Sequence, residues 1–379
     1  MSVNAFFAIV VVLPPREKFR GADAGAVALT VRDFVQESRF NKRTIVFGGE
    51  QESFEDINYQ YVTTGIWSKI IGRNLSYFYG CRQWLLKYKP QLIEVHNRII
   101  LALRIKAAFP NAQVVVYLHN DPQTMQGAKN IQQRQKVIQQ LDAIYCVSDY
   151  VKQRLLEGLG DGLSSKIHVI HNALAKSSKQ VALVKQKWLV YAGRFIPEKG
   201  VLQLAQALAE VLPLFPQWQA VFLGAWGFGH VAGRTKYEQQ VYAALAQVDK
   251  QVEFRGHVPQ AEVMVTLAQS SVTVVPSICG EAFGRVALEA MLMANAVIVS
   301  NHGALPEVAG DAALVLPEVT QACLVRYLTD LLSNEQRVSE IAKHCHQRAV
   351  TGFNLEKQVR YLDDIREQWL EEAQCIFVK

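Results

Sequence analysis

No apolar run in this 379-residue chain reaches the roughly 18 residues that a membrane-spanning helix requires. The apolar stretch at residues 6–13 has no basic residue before it and stops at Pro14-Pro15, so it reads as a first strand and not as a secretory leader. Cysteine is scarce. The six present, Cys81, Cys146, Cys279, Cys323, Cys345 and Cys375, show no paired spacing, which argues against a disulfide framework and for reduced, buried thiols in a cytoplasmic protein. His344-Cys345-His346 is not a metal site on this reading, because adjacent helical residues diverge by about 100° and no second ligand cluster lies near. The G-x-G-x-x-G fingerprint is missing, which excludes a nicotinamide dehydrogenase. There is no concentrated basic patch with a recognisable module, which excludes nucleic acid as a partner.

What is present is a globular composition, 50% hydrophobic and 20% charged, in a chain long enough for two α/β domains. Charge divides unevenly. Residues 1–175 carry 21 Lys and Arg against 14 Asp and Glu, whereas the remainder carries 19 against 20. The first half is therefore the one suited to an anionic surface or substrate. Strand-like runs at residues 6–13, 42–47, 92–95, 114–118, 143–147 and 167–170 alternate with helical patterns, and the alternation resumes with strands at 188–192, 219–223, 252–255, 272–275 and 296–299. This predicts two doubly wound parallel-sheet domains facing a central cleft, residues 1–175 and 188–355. A polar linker at 176–187 separates them, and a C-terminal helix at 356–379 is able to cross back to the first domain.

In such sheets ligands bind beyond the carboxyl ends of the strands, so the loops that follow strands matter most. The segment Cys279-Gly280-Glu281-Ala282-Phe283-Gly284-Arg285 leads from a β-branched run into a helix carrying Glu289. A glycine turn into a helix N-terminus favours an oxyanion, and the two carboxylates can hold different parts of one long ligand. Gly193-Arg194 and Lys199-Gly200 follow the strand at 188–192; an arginine fork and a lysine point charge suit a diphosphate. Gly224 sits in a second strand-end glycine loop, and Val258 ends the next strand where a base could be framed. In the first half, His96-Asn97 and His119-Asn120-Asp121-Pro122 each close a strand. Residues 67–89 interleave Trp67, Tyr77, Phe78, Tyr79, Trp84 and Tyr88 with Lys69, Arg73, Arg82, Lys87 and Lys89, a pattern suited to anionic lipid and equally to core packing with solvated cations.

With Gly193-Arg194, Lys199-Gly200, Pro276-Ser277, Glu281 through Glu289-Ala290, and Gly303 through Glu307 in that order, the chain resembles the retaining glycosyltransferases of family 4, which have the GT-B fold. The likeness spans nearly the whole length and is strongest at residues 188–310. It implies a nucleotide-sugar donor on the second domain and a glycan or glycolipid acceptor on the first. By the same resemblance Glu289 would hold the ribose hydroxyls, Arg194 and Lys199 the diphosphate, and Glu281 the hydroxyls of the transferred sugar. Phe283, Gly284 and Arg285 would line the donor beside Gly224 and Val258. His119 matches a first-domain histidine close to the reacting sugar. Gly21 and Ala22 occupy the N-terminal glycine-loop position, where Gly-Gly is more usual in the family.

The absence of any Asp-x-Asp implies transfer without a metal or other cofactor, with Arg194 and Lys199 in the cation's role. The family is thought to retain configuration by front-face attack, the leaving phosphate taking the proton. Residues 233–238 are similar to a segment of lipopolysaccharide N-acetylglucosaminyltransferases. A UDP-sugar donor, a lipopolysaccharide-core or other lipid-linked acceptor, and peripheral attachment to the inner membrane are the resulting expectations. A GDP-mannose-dependent mannosyltransferase and a non-catalytic scaffold subunit are the alternatives to them. A sugar-nucleotide epimerase on the same fold would need no basic-aromatic face.

Overall fold

A computed structural model describes residues 7–21, 24–64, 72–160, 162–175, 185–225 and 235–377, with residues 372–377 described by backbone alone. The contacts divide the chain into two compact units, Met1–Ala173 with Leu355–Lys379, and Leu174–Asn354.

The first unit holds a seven-stranded sheet made of β1 (Ile9–Val12), β2 (Thr44–Gly48), β3 (Tyr59–Tyr61), β4 (Leu92–His96), β5 (Gln113–Leu118), β6 (Ala143–Cys146) and β7 (Ile167–Val169). Their spatial order is β3-β2-β1-β4-β5-β6-β7, and every pairing is parallel. Strands β1, β2, β4, β5 and β6 are buried along their whole length, as their near-continuous apolar sequences require when helices cover both faces. The strand order reverses between β1 and β4, so the loops leaving those two strands diverge and open a crevice.

The helix Leu355–Phe377 belongs to this first unit. Its Arg366 forks onto Glu94 of β4, Nε to Oε1 at 2.9 Å and Nη2 to Oε2 at 2.7 Å. A third nitrogen, Nη1, donates to Asp363 Oδ1 at 3.0 Å, and Asp363 in turn accepts from the Ser38 hydroxyl at 2.7 Å. Burial alone would lower the Arg366 pKa, but the carboxylates of Glu94 and Asp363 hold it above the usual arginine range.

The second unit holds a six-stranded sheet of β8 (Gln186–Ala192), β9 (Gln219–Leu223), β10 (Val252–Gly256), β11 (Ser270–Val275), β12 (Ala296–Ser300) and β13 (Leu314–Leu316). The order is β10-β9-β8-β11-β12-β13, again all parallel, with the reversal between β8 and β11. Its core joins Leu189, Phe222, Val272 and Ile298 of the sheet to Leu204 and Leu208 of the helix Val201–Val211 and to Leu324 and Leu328 of Gln321–Leu332.

The structure therefore has the expected class, two doubly wound parallel-sheet α/β units, with local differences. The three-residue strands β3 and β13, both at sheet edges, are additional to the expected set. Strand β8 starts at Gln186, inside the stretch assigned to the linker, where Gln186 pairs with Ser270. Linker residues 176–184 lie outside the described residues. Cys81, Cys146, Cys323 and Cys345 are buried free thiols, but Cys279 is exposed, because its loop projects from the end of β11. The side chain of Cys375 is not among those described.

Candidate active site

The reversal between β8 and β11 brings the Lys199 and Glu281 loops together. The turn Pro197–Lys199 presents the carbonyl of Glu198 to the backbone N–H of Ile278, at 2.9 Å, and of Cys279, at 3.3 Å. Two glycines permit this close approach. A Cβ on Gly200, at φ 65°, would sit 1.9 Å from the Pro276 carbonyl oxygen. One on Gly303, at φ 66°, would sit 2.3 Å from the backbone N and O of Glu281. Glu281 and Gly303 form an isolated parallel bridge, and the N–H of Ala304 donates to the Glu281 carbonyl at 2.8 Å. The loop that carries Glu281 is thus held from both sides by backbone.

On this scaffold Lys199 Nζ donates to Glu281 Oε1, and the Ser277 hydroxyl donates to the same oxygen at 2.6 Å. Both partners of the ion pair are about four-fifths buried. A loose surface pair would be worth little, whereas here the geometry is imposed by the loops and the remaining exposure leaves a route for a ligand. Arg194, on the loop after β8, is exposed, and its carbonyl is pinned by the Tyr191 hydroxyl at 2.8 Å. Gly224 follows β9, and its N–H reaches the Gly256 carbonyl at 2.6 Å.

The helix Arg285–Leu292 begins at Gly284, whose φ of 92° lies in the left-handed region. Glu289 is a buried residue of this helix, 1% exposed, and not the solvated helix charge that an isolated glutamate would be. Its Oε1 accepts Nε of Arg285, one turn earlier, at 2.7 Å and Nε2 of Gln260 at 2.8 Å. Both bonds end on the one oxygen, and among the described residues none is seen to reach Oε2. Arg285, expected to line the donor, holds Glu289 through this bond. Phe283 is buried edge-on against Phe353, with ring centroids 5.6 Å apart, and Val258 is half-buried at the start of the loop before Gln260. Ser277 and Gln260 are the polar contacts that sequence reasoning did not select. Ser277 belongs to the Pro276-Ser277 pair that follows β11, while nothing local marks Gln260.

In the first unit His119 follows β5 and is buried, its Nε2 lying 2.8 Å from Nδ1 of His96. The side-chain carbonyl of Asn97, itself at φ 53°, accepts the His119 backbone N–H at 2.8 Å. Tyr117 stacks on both rings, with centroids 4.6 Å from His119 and 4.9 Å from His96. Burial, aided by the nearby Arg366 charge, pushes His96 down to about 3. Burial and then His96 lower His119 well below the usual histidine range. Both imidazoles are therefore neutral near pH 7, one donating and one accepting in their mutual bond. His119 cannot act as a cation in this state; it offers an oriented neutral ring.

Gly21 lies in the loop after β1, and Ala22 lies outside the described residues. A cavity of about 410 Å³ opens at the same crevice, lined by Pro15, Asn97, Arg98, Arg104 and Asn120 among others.

The basic-aromatic stretch resolves into two populations on the helix Arg73–Tyr88. Tyr77 and Phe78 are core, and the Tyr77 hydroxyl donates to the Leu13 carbonyl at 3.1 Å. Tyr79 is 54% and Leu86 49% exposed, beside exposed Arg82 and Lys87. Lys87 Nζ sits 4.8 Å from the Trp84 ring centroid, and Trp84 stacks on Tyr88 at 5.8 Å. Trp67 and Lys69 lie outside the described residues, as do Trp226 to Gly229 of the second glycine loop and Gly233 and Arg234 of the 233–238 segment. Among the described residues no helix is long and apolar enough to cross a membrane.

Comparison with known proteins adds two family profiles that together span most of the chain. Residues 175–350 match "Glycosyl transferases group 1", and residues 38–175 match "Glycosyltransferase Family 4". The chain is 22% identical over 341 residues to spore coat protein SA of Bacillus subtilis, covering 84% of this chain and 86% of that protein. It is 21% identical over 299 residues to the lipopolysaccharide 1,2-N-acetylglucosaminetransferase of Salmonella typhimurium, covering 74% of each. Among solved structures, Anabaena HepE in complex with UDP-glucose superimposes with a TM-score of 0.75 at 17% identity, over 95% of this chain and 99% of that one.

Proposed function

Because this chain belongs to the group 1 glycosyltransferases and has the GT-B fold, we propose that it is a retaining, metal-independent enzyme of surface-glycan synthesis. It moves a hexose or N-acetylhexosamine from a UDP-sugar to a lipopolysaccharide-core or other lipid-linked acceptor. The observation that carries this reading is the Lys199–Glu281 pair at the switch point between β8 and β11, with Glu289 on the helix that continues the Glu281 loop. In that frame Lys199 and Arg194 bind the diphosphate, Glu281 accepts from the sugar's hydroxyls, and Glu289 Oε2 accepts from the ribose.

The bond between the anomeric carbon and the diphosphate oxygen breaks as the acceptor oxygen bonds the same face of that carbon. The acceptor proton passes to the leaving phosphate oxygen. Charge then grows on the diphosphate in the transition state, where fixed ammonium and guanidinium groups stabilise it most. As phosphate draws Lys199, Glu281 exchanges an ammonium donor for sugar hydroxyls, so the pair serves as a placeholder for the donor. His119 offers an oriented neutral ring at the carboxyl end of β5 in the first unit.

The acceptor occupies the crevice lined by Asn97, Arg98, Arg104 and Asn120, whose arginines suit an anionic glycolipid headgroup. UDP as the carrier is supported by the UDP-glucose complex of the structurally similar HepE, and an amino-sugar and lipopolysaccharide acceptor by the name of the Salmonella relative. The enzyme works in the cytoplasm on the inner-membrane surface, which it meets through Tyr79, Leu86, Arg82 and Lys87.

Donor hydrolysis over a panel of UDP- and GDP-sugars, with and without a chelator, tests the assignment. Turnover of a UDP-sugar that survives chelation is expected; turnover only of GDP-mannose, or strict dependence on a divalent ion, refutes the corresponding part. Sedimentation with anionic vesicles before and after Arg82→Gln with Lys87→Gln tests the membrane face, and unchanged binding discards it.

A further inference from the structure

The loop that carries Glu281 is supported from behind by a helix that holds none of the residues assigned to the donor. The helix Glu335–Gly352 sends three neighbouring side chains to backbone carbonyls of the second unit. Cys345 Sγ donates to Ala312 at 3.2 Å, and His346 Nδ1 donates to Leu292 at 2.8 Å. Arg348 serves two carbonyls at once, Nε to Val308 at 2.7 Å and Nη2 to Glu307 at 2.6 Å. Both belong to the end of the short helix Leu305–Ala309, where backbone acceptors lack intrahelical partners, so one forked cation satisfies two of them.

This approach is built into the backbone. Gly310 closes the short helix at φ 55°, and a Cβ there would fall 2.4 Å from Arg348 Cζ, so a side chain at 310 and the guanidinium exclude each other. The same guanidinium lies 5.8 Å from the ring centroid of Phe353, the ring that packs against Phe283 of the Glu281 loop.

The other end of Leu305–Ala309 meets that loop at two points. Gly303 bridges Glu281, and the N–H of Ala304, the residue that starts the helix, donates to the Glu281 carbonyl at 2.8 Å. Leu305, fully buried, lies so close to Gly284 that a Cβ on Gly284 would sit 2.4 Å from Leu305 Cδ2. Pro306 stiffens the first turn. The short helix is thus a strut, with Arg348 at one end and the main chain of Glu281 at the other. Glu289 and Lys199 have supports of their own. Glu289 is bonded to Arg285 and Gln260, and the Lys199 turn is bonded through the Glu198 carbonyl to Ile278 and Cys279.

We propose that Arg348 is a positioning residue for Glu281, acting through the strut Leu305–Ala309, and that it serves the sugar end of the donor and not the nucleotide end. The proposal rests on the reading of Glu281 as the partner of the transferred sugar. Arg348 itself touches no reacting group.

The test is calorimetric titration of full-length wild type, Arg348→Met, Glu281→Ala and the double variant. The ligands are UDP and either UDP-glucose or UDP-N-acetylglucosamine, whichever binds wild type more tightly. Arg348→Met keeps the apolar stem and loses both bonds. It is expected to weaken the UDP-sugar about tenfold and UDP by no more than about twofold, as the loss of charge-assisted contacts relayed to one residue predicts. Arg348→Lys should restore part of the loss, and Gly310→Ala, whose Cβ displaces the guanidinium, should act as Arg348→Met does. The double variant should bind the UDP-sugar no more weakly than Glu281→Ala alone, because Arg348 acts through Glu281. Equal losses for UDP and the UDP-sugar, additive losses in the double variant, or wild-type affinity in Arg348→Met would each overturn the proposal.

Hydrogen exchange at the Ala304 amide in the ligand-free proteins is the second measurement. Faster exchange is expected in Arg348→Met than in wild type, and an unchanged rate overturns the strut whatever binds. If wild type takes neither UDP-sugar, or Glu281→Ala binds it as wild type does, the donor reading fails, and exchange at Ala304 alone then decides whether Arg348 positions the Glu281 loop. Should Arg348→Met fail to fold, Arg348→Lys and Gly310→Ala carry both measurements.

Discussion

Glu289 is the residue at which a single-atom change separates binding from folding. Its side chain is 2% exposed, and Oε1 alone carries the bonds to Arg285 and Gln260. In Glu289→Gln the amide oxygen can take the Oε1 position and keep both bonds, which puts the amide nitrogen where Oε2 was. A ribose hydroxyl that donates to Oε2 then meets a second donor. Losing one hydrogen bond to a charged group costs about 1.5–3 kcal/mol, or roughly 10- to 150-fold in affinity. The assay is calorimetric titration of wild type and variant with uridine or guanosine diphosphate, whichever binds wild type more tightly, and with its 2′-deoxy and 3′-deoxy forms. If Glu289 holds the ribose, removing the contacted hydroxyl weakens binding to the wild type by that factor and leaves the variant almost unaffected, a clear coupling in the double-mutant sense. If wild type and variant lose the same factor for both hydroxyls, Glu289 does not touch the ribose and the donor orientation assigned above is wrong.

Lys199→Ala and Glu281→Ala are each expected to abolish transfer with thermal unfolding little changed, and near-wild-type turnover in either would remove that residue from the site. His96 titrates near 3 in the folded protein against an ordinary value of 6.5, so between those pH values the unfolded chain binds a proton that the folded one does not, and stability falls as pH drops through that window. At pH 5 this amounts to about 2 kcal/mol, and His96→Gln should flatten the decline in urea midpoint from pH 7 to 5; an unchanged slope would contradict the buried neutral state. Arg366→Met leaves Glu94, 1% exposed, and Asp363 without their counter-charge and should cost about 3–5 kcal/mol in the first unit, whereas adding Glu94→Leu should recover the share due to Glu94. Equal losses in the single and double variants would mean that the unpaired Glu94 charge is not what destabilises the single variant.

Much of the architecture is legible along the chain because parallel strands buried on both faces are near-continuous apolar runs, as in β1, β5 and β12. Edge strands β3 and β13 escape that signal, whereas β7, equally short and at an edge, does not. On the helix Arg73–Tyr88, composition could not divide core aromatics from outward ones. Tyr77 and Tyr79 are identical letters two positions apart, and only the facing of the helix buries one and leaves the other 54% exposed.

Strand-end glycines, the loop charges and the order of Arg194, Lys199, Glu281 and Glu289 are local properties, set by which backbone turns and ionised groups a short segment can supply, and the sequence by itself determined them. Contacts between residues far apart in the chain belong to the tertiary structure. The meeting of Lys199 with Glu281 across 82 positions, the approach of Gln260 to Glu289 and the stacking of His96 on His119 follow from strand order and register. Strand order decides which loops leave the sheet side by side, and burial then decides which of their groups stay neutral, pair, or remain open to a ligand.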